Sequence, residues 1–299
     1  MIRTFCKSGV FLLALCPLPV LAQQSVSESA PMSANGTLDV SNVSGEVTIR
    51  AWDRPEVQVK GEIGDDQKLE FSADGEHTRI EVHSEHDRHD DDDADLEIRV
   101  PSTSRVRANT ISANLNVTGM TNELELQSVS GDIDTEVFGA DVTVETISGS
   151  IEVAGHHQSA EMHLGVVSGD AWVRDVDGDV TARTISGDLN IRAGKLRRAR
   201  IDTTSGDVHV QASLEPDARF EVDSTSGDLQ LELCGKPEGD YELTSFSGDI
   251  MAYDRHGEPR NEHGPTSELR FTLGKGGALV RIDSLSGEIT LDDCGSRKD

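Results

Sequence analysis

The residues most suited to chemistry lie in one short run, in which His83, His86 and His89 precede the block Asp90, Asp91, Asp92 and Asp93, with Asp95 just beyond. Imidazoles at a spacing of three beside clustered carboxylates are the ligand types of a divalent transition metal. The same run also reads as a solvated acidic loop between two strands, Arg79–Val82 and Leu96–Val100. Nothing in the spacing imposes a coordination geometry. The loop is therefore the plainer reading, with a divalent cation as the alternative and no other cofactor implied.

A second acidic series is spread along the chain: Asp132, Asp170, Asp188, Asp207, Asp228 and Asp249. Stacked like charges about 4.8 Å apart repel unless amides, water or cations absorb the cost. Calcium-binding β-rolls use Gly-Gly-x-Gly-x-Asp at two turns per coil, whereas here only one turn is acidic and that glycine pattern is missing. Asx-type turns are the simpler reading. Catalysis finds less support. Trp172 falls on an outward strand position that could offer a sugar platform, and His156 and His157 share a variable turn. No nucleophile–base set or isolated carboxylate pair stands out where nearly every repeat carries an acid. The expectation is a protein that is not an enzyme, with a β-helix polysaccharide lyase or hydrolase as a lesser alternative.

Those acids belong to an internal repeat. Ser-Gly-Asp/Glu or a near variant recurs at Ser44, Ser112, Ser130, Ser148, Ser168, Ser186, Ser205, Ser226, Ser247 and Ser286. From Ser112 to Ser247 the steps are 18, 18, 20, 18, 19, 21 and 21, and the last step is 39, enough for two coils or for one coil with an insertion. Aliphatic residues three and five places after the Ser alternate with polar ones, as Ile151 and Val153 flank Glu152 (after Ser130 only Ile133 is aliphatic), and the alternation returns upstream, as in Val142 and Val144. Period two with no helical stripe means short strands with one buried face. The turn glycines Gly45, Gly131, Gly149, Gly169, Gly187, Gly206, Gly227, Gly248 and Gly287 suit a left-handed backbone. A β-sandwich of hairpins gives no reason for one tripeptide at every second turn, whereas stacked coils do.

Two columns precede the Ser. Two places before it stand Thr110, Ser128, Thr146, Thr184, Thr203, Ser224, Ser245 and Ser284. Parity puts them on the inner face as a hydroxyl ladder. One place before it the residues are mostly apolar: Val43, Ile111, Val129, Ile147, Val167, Ile185, Phe246 and Leu285, with Thr204 and Thr225 between. Long exposed apolar ridges are uncommon, so the expectation is that the chain bends there and turns this column inward.

The segments Gly36–Val47, Ala51–Val57 and Leu96–Pro101, the Ser-Gly-Asp repeats, and the Gly274–Gly277 turn before Arg281–Ile289 together resemble the bacterial "putative adhesin" family of unknown function. The resemblance covers residues 33–292. It implies an all-β, right-handed β-solenoid of 18–21-residue coils in the cell envelope, with an N-terminal β cap and no catalytic residues to carry over. The division that follows is 1–22 signal peptide, 23–104 N-terminal β region with the 83–95 loop, 105–292 repeat solenoid and 293–299 polar tail.

Export rests on the first residues. Arg3 and Lys7 precede an apolar stretch from Val10 to Leu21, broken by Pro17 and Pro19, and Val20-Leu21-Ala22 suits cleavage before Gln23. Leu15 before Cys16 does not fit a lipidation site. The stretch is too short to span a bilayer. The periplasm is the expected location, with the cell surface or secretion as alternatives. The net charge is −28, and cleavage at Ala22 removes two bases and no acid. A surface this acidic repels nucleic acid. With aromatics at 4%, an extended interface with an envelope protein or glycan is a better match than a deep apolar pocket. The reading is an exported adhesin-like binding scaffold, with a metal-binding envelope protein as alternative. Cys234 and Cys294 would be joined in an oxidising compartment. Both sit eight residues after their Ser, and with one coil between them their Cα atoms lie about 9–10 Å apart. A bridge then requires the tail after Leu291 to fold back.

Overall fold

The structure is a computed structural model and describes residues 24–84, 93–139, 141–235, 237–253, 259–262 and 266–294. The His86, His89, Asp90, Asp91 and Asp92 part of the acidic run lies outside these residues, as do residues 1–23. Among the described residues there is no helix, and so none long and apolar enough to cross a membrane.

The strands run in chain order as β1 (Gln24–Pro31), β2 (Thr37–Trp52), β3 (Glu56–Ile63), β4 (Gln67–Ala73), β5 (His77–Ser84), β6 (Ala94–Pro101) and β7 (Arg105–Thr118). They continue as β8 (Leu124–Ser128), β9 (Ile133–Val137), β10 (Asp141–Ser148), β11 (Ile151–Gly155), β12 (Ser159–Ser168), β13 (Ala171–Ser186), β14 (Leu189–Ser205) and β15 (Val208–Ser226). The last are β16 (Leu229–Leu233), β17 (Gly239–Ser247), β18 (Ile250–Tyr253), β19 (Pro259–Glu262), β20 (Ser267–Leu273), β21 (Ala278–Ser286) and β22 (Ile289–Asp292). From β7 to β16 each coil pairs parallel with the next, as Val144 with Leu164 and Ile151 with Ala171, and the register shifts at the variable turns near residues 174–179 and 192–198. This is a β-solenoid.

Its core lies between the two faces of each coil. Val142, Val144, Ile151 and Val153 are buried within one turn of chain, and Ala199, Ile201, Val208 and Val210 within another. Each fully buried aliphatic side chain contributes about 1.5–3 kcal/mol, and stacking joins the coils into one continuous core. The stack already includes Thr37–Trp52, since β2 lies against β7 with Ser44 opposite Ser112.

The coils do not stack in chain order at either end. β2 is held between β7 on one side and the coil made of β5 and β6 on the other. β4 and β3 then run antiparallel on β5 and β6, and β1 runs antiparallel on β3. At the other end β21 lies between β15 and β17, and β22 lies between β16 and β18. Here β20 and β19 form the antiparallel outer layer. The step of 39 from Ser247 to Ser286 therefore holds this outer layer and one coil, which returns to fill a slot two layers deep. Antiparallel layers close ends that would otherwise offer parallel edges to further coils.

This order corrects the expected separation of the cysteines. The coils of Ser226 and Ser286 are direct neighbours, with Leu229 opposite Ile289. Cys234 and Cys294 are disulfide-bonded with Cα atoms 4.7 Å apart, and no folding back is needed.

Candidate functional site

The corner that carries the Ser-Gly-Asp repeat is built from main-chain contacts between coils. The Gly187 N–H donates to Ser205 O at 3.2 Å and the Leu189 N–H donates to Asp207 O at 2.9 Å. The acid adds a second ladder. Asp170 Oδ1 accepts the Asp188 N–H at 2.9 Å, Asp188 Oδ1 accepts that of Asp207 at 3.0 Å, and Asp207 Oδ1 accepts that of Asp228 at 2.9 Å. Asp132 does the same for Ser150, and Asp228 for Glu288 on the inserted coil. These aspartates bond an amide one coil away, not within their own turn as an Asx turn would. Asn114 fills the position where the acid is lost, its Oδ1 accepting the Asp132 N–H.

The turn glycines serve close approach as much as backbone sign. Gly187 and Gly206 both have φ near +130°, while Gly131 and Gly248 have no positive φ. At all four, a Cβ would fall closer than 3.0 Å to a carbonyl oxygen of the neighbouring coil.

The two columns before the Ser then separate. Thr110, Ser128, Thr146, Thr184, Thr203, Ser224, Ser245 and Ser284 are 0–9% exposed, an inner ladder as parity requires. In the remaining coils this place is taken by Val166 and by Asn42, whose Nδ2 donates to Ser44 O and Ala94 O. The apolar column does not bend inward. Val43, Ile111, Val129, Ile147, Val167, Ile185, Phe246 and Leu285 are 41–59% exposed. All these strands but β8 run on to the Ser itself, so a buried residue two places before it sends the next one outward. The corner begins one residue later than expected.

The result is an aliphatic ridge along the stack, roughly 40 Å long over ten coils. Beside it lies a groove of about 580 Å³ lined by Asn109, Gln127, Glu145 and Gly165 on one flank and by Ile111, Val129, Ile147, Val167 and Ile185 on the other. Arg183 and Ile185 also line a continuation toward Asp202, Asp223, Asp283 and Leu285. The first half is walled by aliphatic groups and the amides of Asn109 and Gln127, with Glu145 and Arg183 as its charged side chains. In the second half Thr204 and Thr225 interrupt the ridge and carboxylates replace the amides.

The strand face next to the groove carries charges that alternate in space. Arg200, Glu221, Arg281, Glu242 and Arg270 are successive neighbours across the strands. Arg200 Nη1 lies 3.1 Å from Glu221, and Arg270 Nη2 lies 2.6 Å from Glu242, holding that carboxyl below its usual range. The inserted coil supplies Arg281 between two glutamates. Burial pushes the Asp223 carboxyl up, against the pull of Arg200 at 3.2 Å. Elsewhere, Asp179 is 6% exposed. Arg197 grips it in a fork of 2.9 and 2.6 Å, and Arg198 binds the same carboxylate. Led by Arg197, the two guanidiniums outweigh burial and hold Asp179 down at about 2. This triad was not singled out in the sequence, where Asp179 lies in a variable turn.

The other candidate residues do not converge. His83 sits on β5 with Nε2 4.0 Å from Glu70, and Asp93 is exposed before β6. Among the described residues no group of three His, Cys, Asp or Glu is placed to hold a metal. Trp172 is 42% exposed, beside Glu152 and Asn190 across the strands. His156 stacks on Phe138 at 4.1 Å, and His157 lies 3.8 Å from both Asp175 and Asp177, through different ring nitrogens.

Residues 35–239 match the family model described as Toastrack DUF4097. No curated protein matches the chain. Among solved structures, a "putative adhesin" from Bacteroides fragilis is 9% identical over 91% of this chain and 98% of its own, with a TM-score of 0.46. One from Parabacteroides merdae is 11% identical over 70% of this chain and 92% of its own, with a TM-score of 0.40. A "putative cell adhesion protein" from Clostridium sporogenes is 8% identical over 91% of this chain and 100% of its own, with a TM-score of 0.29.

Proposed function

Given that the chain belongs to the Toastrack DUF4097 family, we propose that it is an exported, non-catalytic envelope scaffold that binds an extended segment of another envelope protein along its ridge and groove. The observation that carries this reading is the ridge. Six exposed apolar residues, from Val43 to Ile185, follow one another from coil to coil, and Leu285 and Phe246 resume the line beyond Thr204 and Thr225; contiguous apolar surface of this kind marks interaction sites. Its shape calls for an elongated partner. Its walls are aliphatic, which suits Val, Ile or Leu side chains better than a glycan, for which aromatic platforms and polar groups are the usual contacts. The carboxylates at the far half of the groove and the net charge of −28 favour a partner with basic flanks, bound less tightly as salt rises.

The non-catalytic part rests on how the acids are used. The carboxylates of the corner column accept amides of the next coil, so they serve the stack. Export rests on the signal-like first 22 residues, and mass spectrometry of the native protein would find Gln23 as the first residue. An intact Met1 in a cytosolic fraction would overturn it.

The deciding experiment is a pull-down from envelope extract with the exported chain and with Ile147→Asp and Ile185→Asp. Both sites are on the surface, so the fold should survive, as circular dichroism would check. The expected result is a protein partner kept in EDTA and lost with either variant. Retention by both variants would remove the ridge from the reading. Loss in EDTA would move the function to a bound cation, and recovery of glycan alone would exclude a protein partner.

A further inference from the structure

We propose that the coil formed by residues 278–292 is exchangeable between two copies of this chain, so that the coil of one molecule fills the slot between β16 and β18 of another. The slot is built without it. The chain runs from β16 into β17 through residues 234–238, and β15 to β18 thereby supply both walls from one continuous piece. The coil enters afterwards in sequence and pairs parallel on both sides, Val280 between Phe220 and Tyr241, Ile289 between Leu229 and Ile250. With the coil withdrawn, two parallel strand edges face each other, which is a template for one more strand pair.

The slot is also selective. Its mouth offers Glu221 and Glu242, which Arg281 separates, and its corner admits a glycine only, since a Cβ on Gly287 would strike the carbonyl of Gly227. A second copy of the same coil meets both conditions and makes every contact that the molecule's own coil makes, which is the basis of exchange between identical chains. The hinge is the turn from β20 to β21, where Gly274, Gly276 and Gly277 have φ of 67°, 82° and 144°. That turn carries the chain from the outer side of β17 to its inner side, and opening it lets the coil reach a neighbour. At the coil's far end Cys294 meets Cys234 of whichever molecule supplies the slot. An oxidant of the disulfide class then takes two electrons and two protons from the thiols, leaving one S–S bond and two reduced thiols of its own.

The test uses full chains carrying Cys6→Ser and Cys16→Ser, one with Cys234→Ser added and the other with Cys294→Ser. Neither can close the bond within itself. The two are unfolded together in urea, refolded at high protein concentration and treated with oxidised glutathione. Exchange predicts a disulfide-linked heterodimer joining Cys294 to Cys234, in excess over both homodimers on a non-reducing gel. Heterodimer at or below the random-collision proportion, or monomers alone, would overturn it. The unmutated exported chain, refolded over a range of concentrations, gives an independent reading by size-exclusion chromatography. A disulfide-locked dimer fraction rising with concentration is expected, and a monomer at every concentration counts against the proposal.

Discussion

Gly206 lies so close over Gly187 that a Cβ on it would fall inside the contact distance of the Gly187 carbonyl oxygen and carbon. Both atoms belong to main chain that is bonded to further coils, so neither can give way. Gly206→Ala is expected to cost about 4 kcal/mol or more, at the upper end for single substitutions. Gly75 also has a positive φ but meets nothing within 4 Å, so Gly75→Ala should cost only backbone strain, about 1–3 kcal/mol. Urea unfolding of the two variants measures the difference. Equal losses would mean that backbone sign, not coil contact, selects the glycine.

The inner hydroxyls give an opposite expectation. Thr146, Thr184 and Thr203 bury Oγ1 atoms that have no hydrogen-bond partner, and Val166 shows that a valine fits the same column. Thr203→Val should therefore raise stability by about 1 kcal/mol, since it removes an unsatisfied polar group at constant shape. A drop in the melting temperature would show that the hydroxyl is bonded in solution.

Asp179 sets the acid limit of its corner. Its carboxyl is held at about 2 against an ordinary 3.8. A folded-state value below the unfolded one adds stability that is fully present above the unfolded value and is lost as pH falls through the folded one. The melting temperature of the unmutated chain should thus fall more steeply than that of Asp179→Asn between pH 3.8 and about 2. Parallel curves for the two proteins would exclude the triad as a source of acid lability.

Arg281 reports on the coil order. It lies between Glu221 and Glu242, so Arg281→Glu sets three acids side by side and should lower the melting temperature at low salt. High salt should recover most of the loss, because exposed charges are screened. A loss that is independent of salt would point to packing instead.

Much of this fold can be read from the chain, because a repeat that must match the coil below it repeats its residues. The Ser-Gly-Asp spacing marks the corner, and Thr146 and Thr184 fall on the inner face by parity alone. The same parity requires Ile147 and Ile185 to be exposed. The rarity of long apolar ridges argued against that, and the strands decided it by running on to the Ser. The coil order at the C-terminal end is not written in the period, which relates neighbours in sequence and not in space. One signal was present. Stacking in chain order would set Glu221 opposite Glu242, a like-charge pair that sheets avoid, and only an inserted coil bearing Arg281 relieves it. The Asp179 triad has no periodic signature, since it is made by a turn that differs from coil to coil.

The placing of the first and last coils in the interior of the stack also governs how the molecule carries a load. A solenoid stacked in chain order, pulled along its chain, would lose its outermost coil by opening a single ladder. Here tension applied near residues 37 and 292 reaches β2 and β22, each bonded along both edges. The strand has to slide out from between two neighbours, breaking both ladders together in shear. Tension applied at Cys294 instead passes first into the Cys234–Cys294 bond and from there into the neighbouring coil. Tension entering near residues 37 and 292 is thus delivered to the interior of the stack, whereas a pull on Gln24 would first load β1 in the antiparallel outer layer.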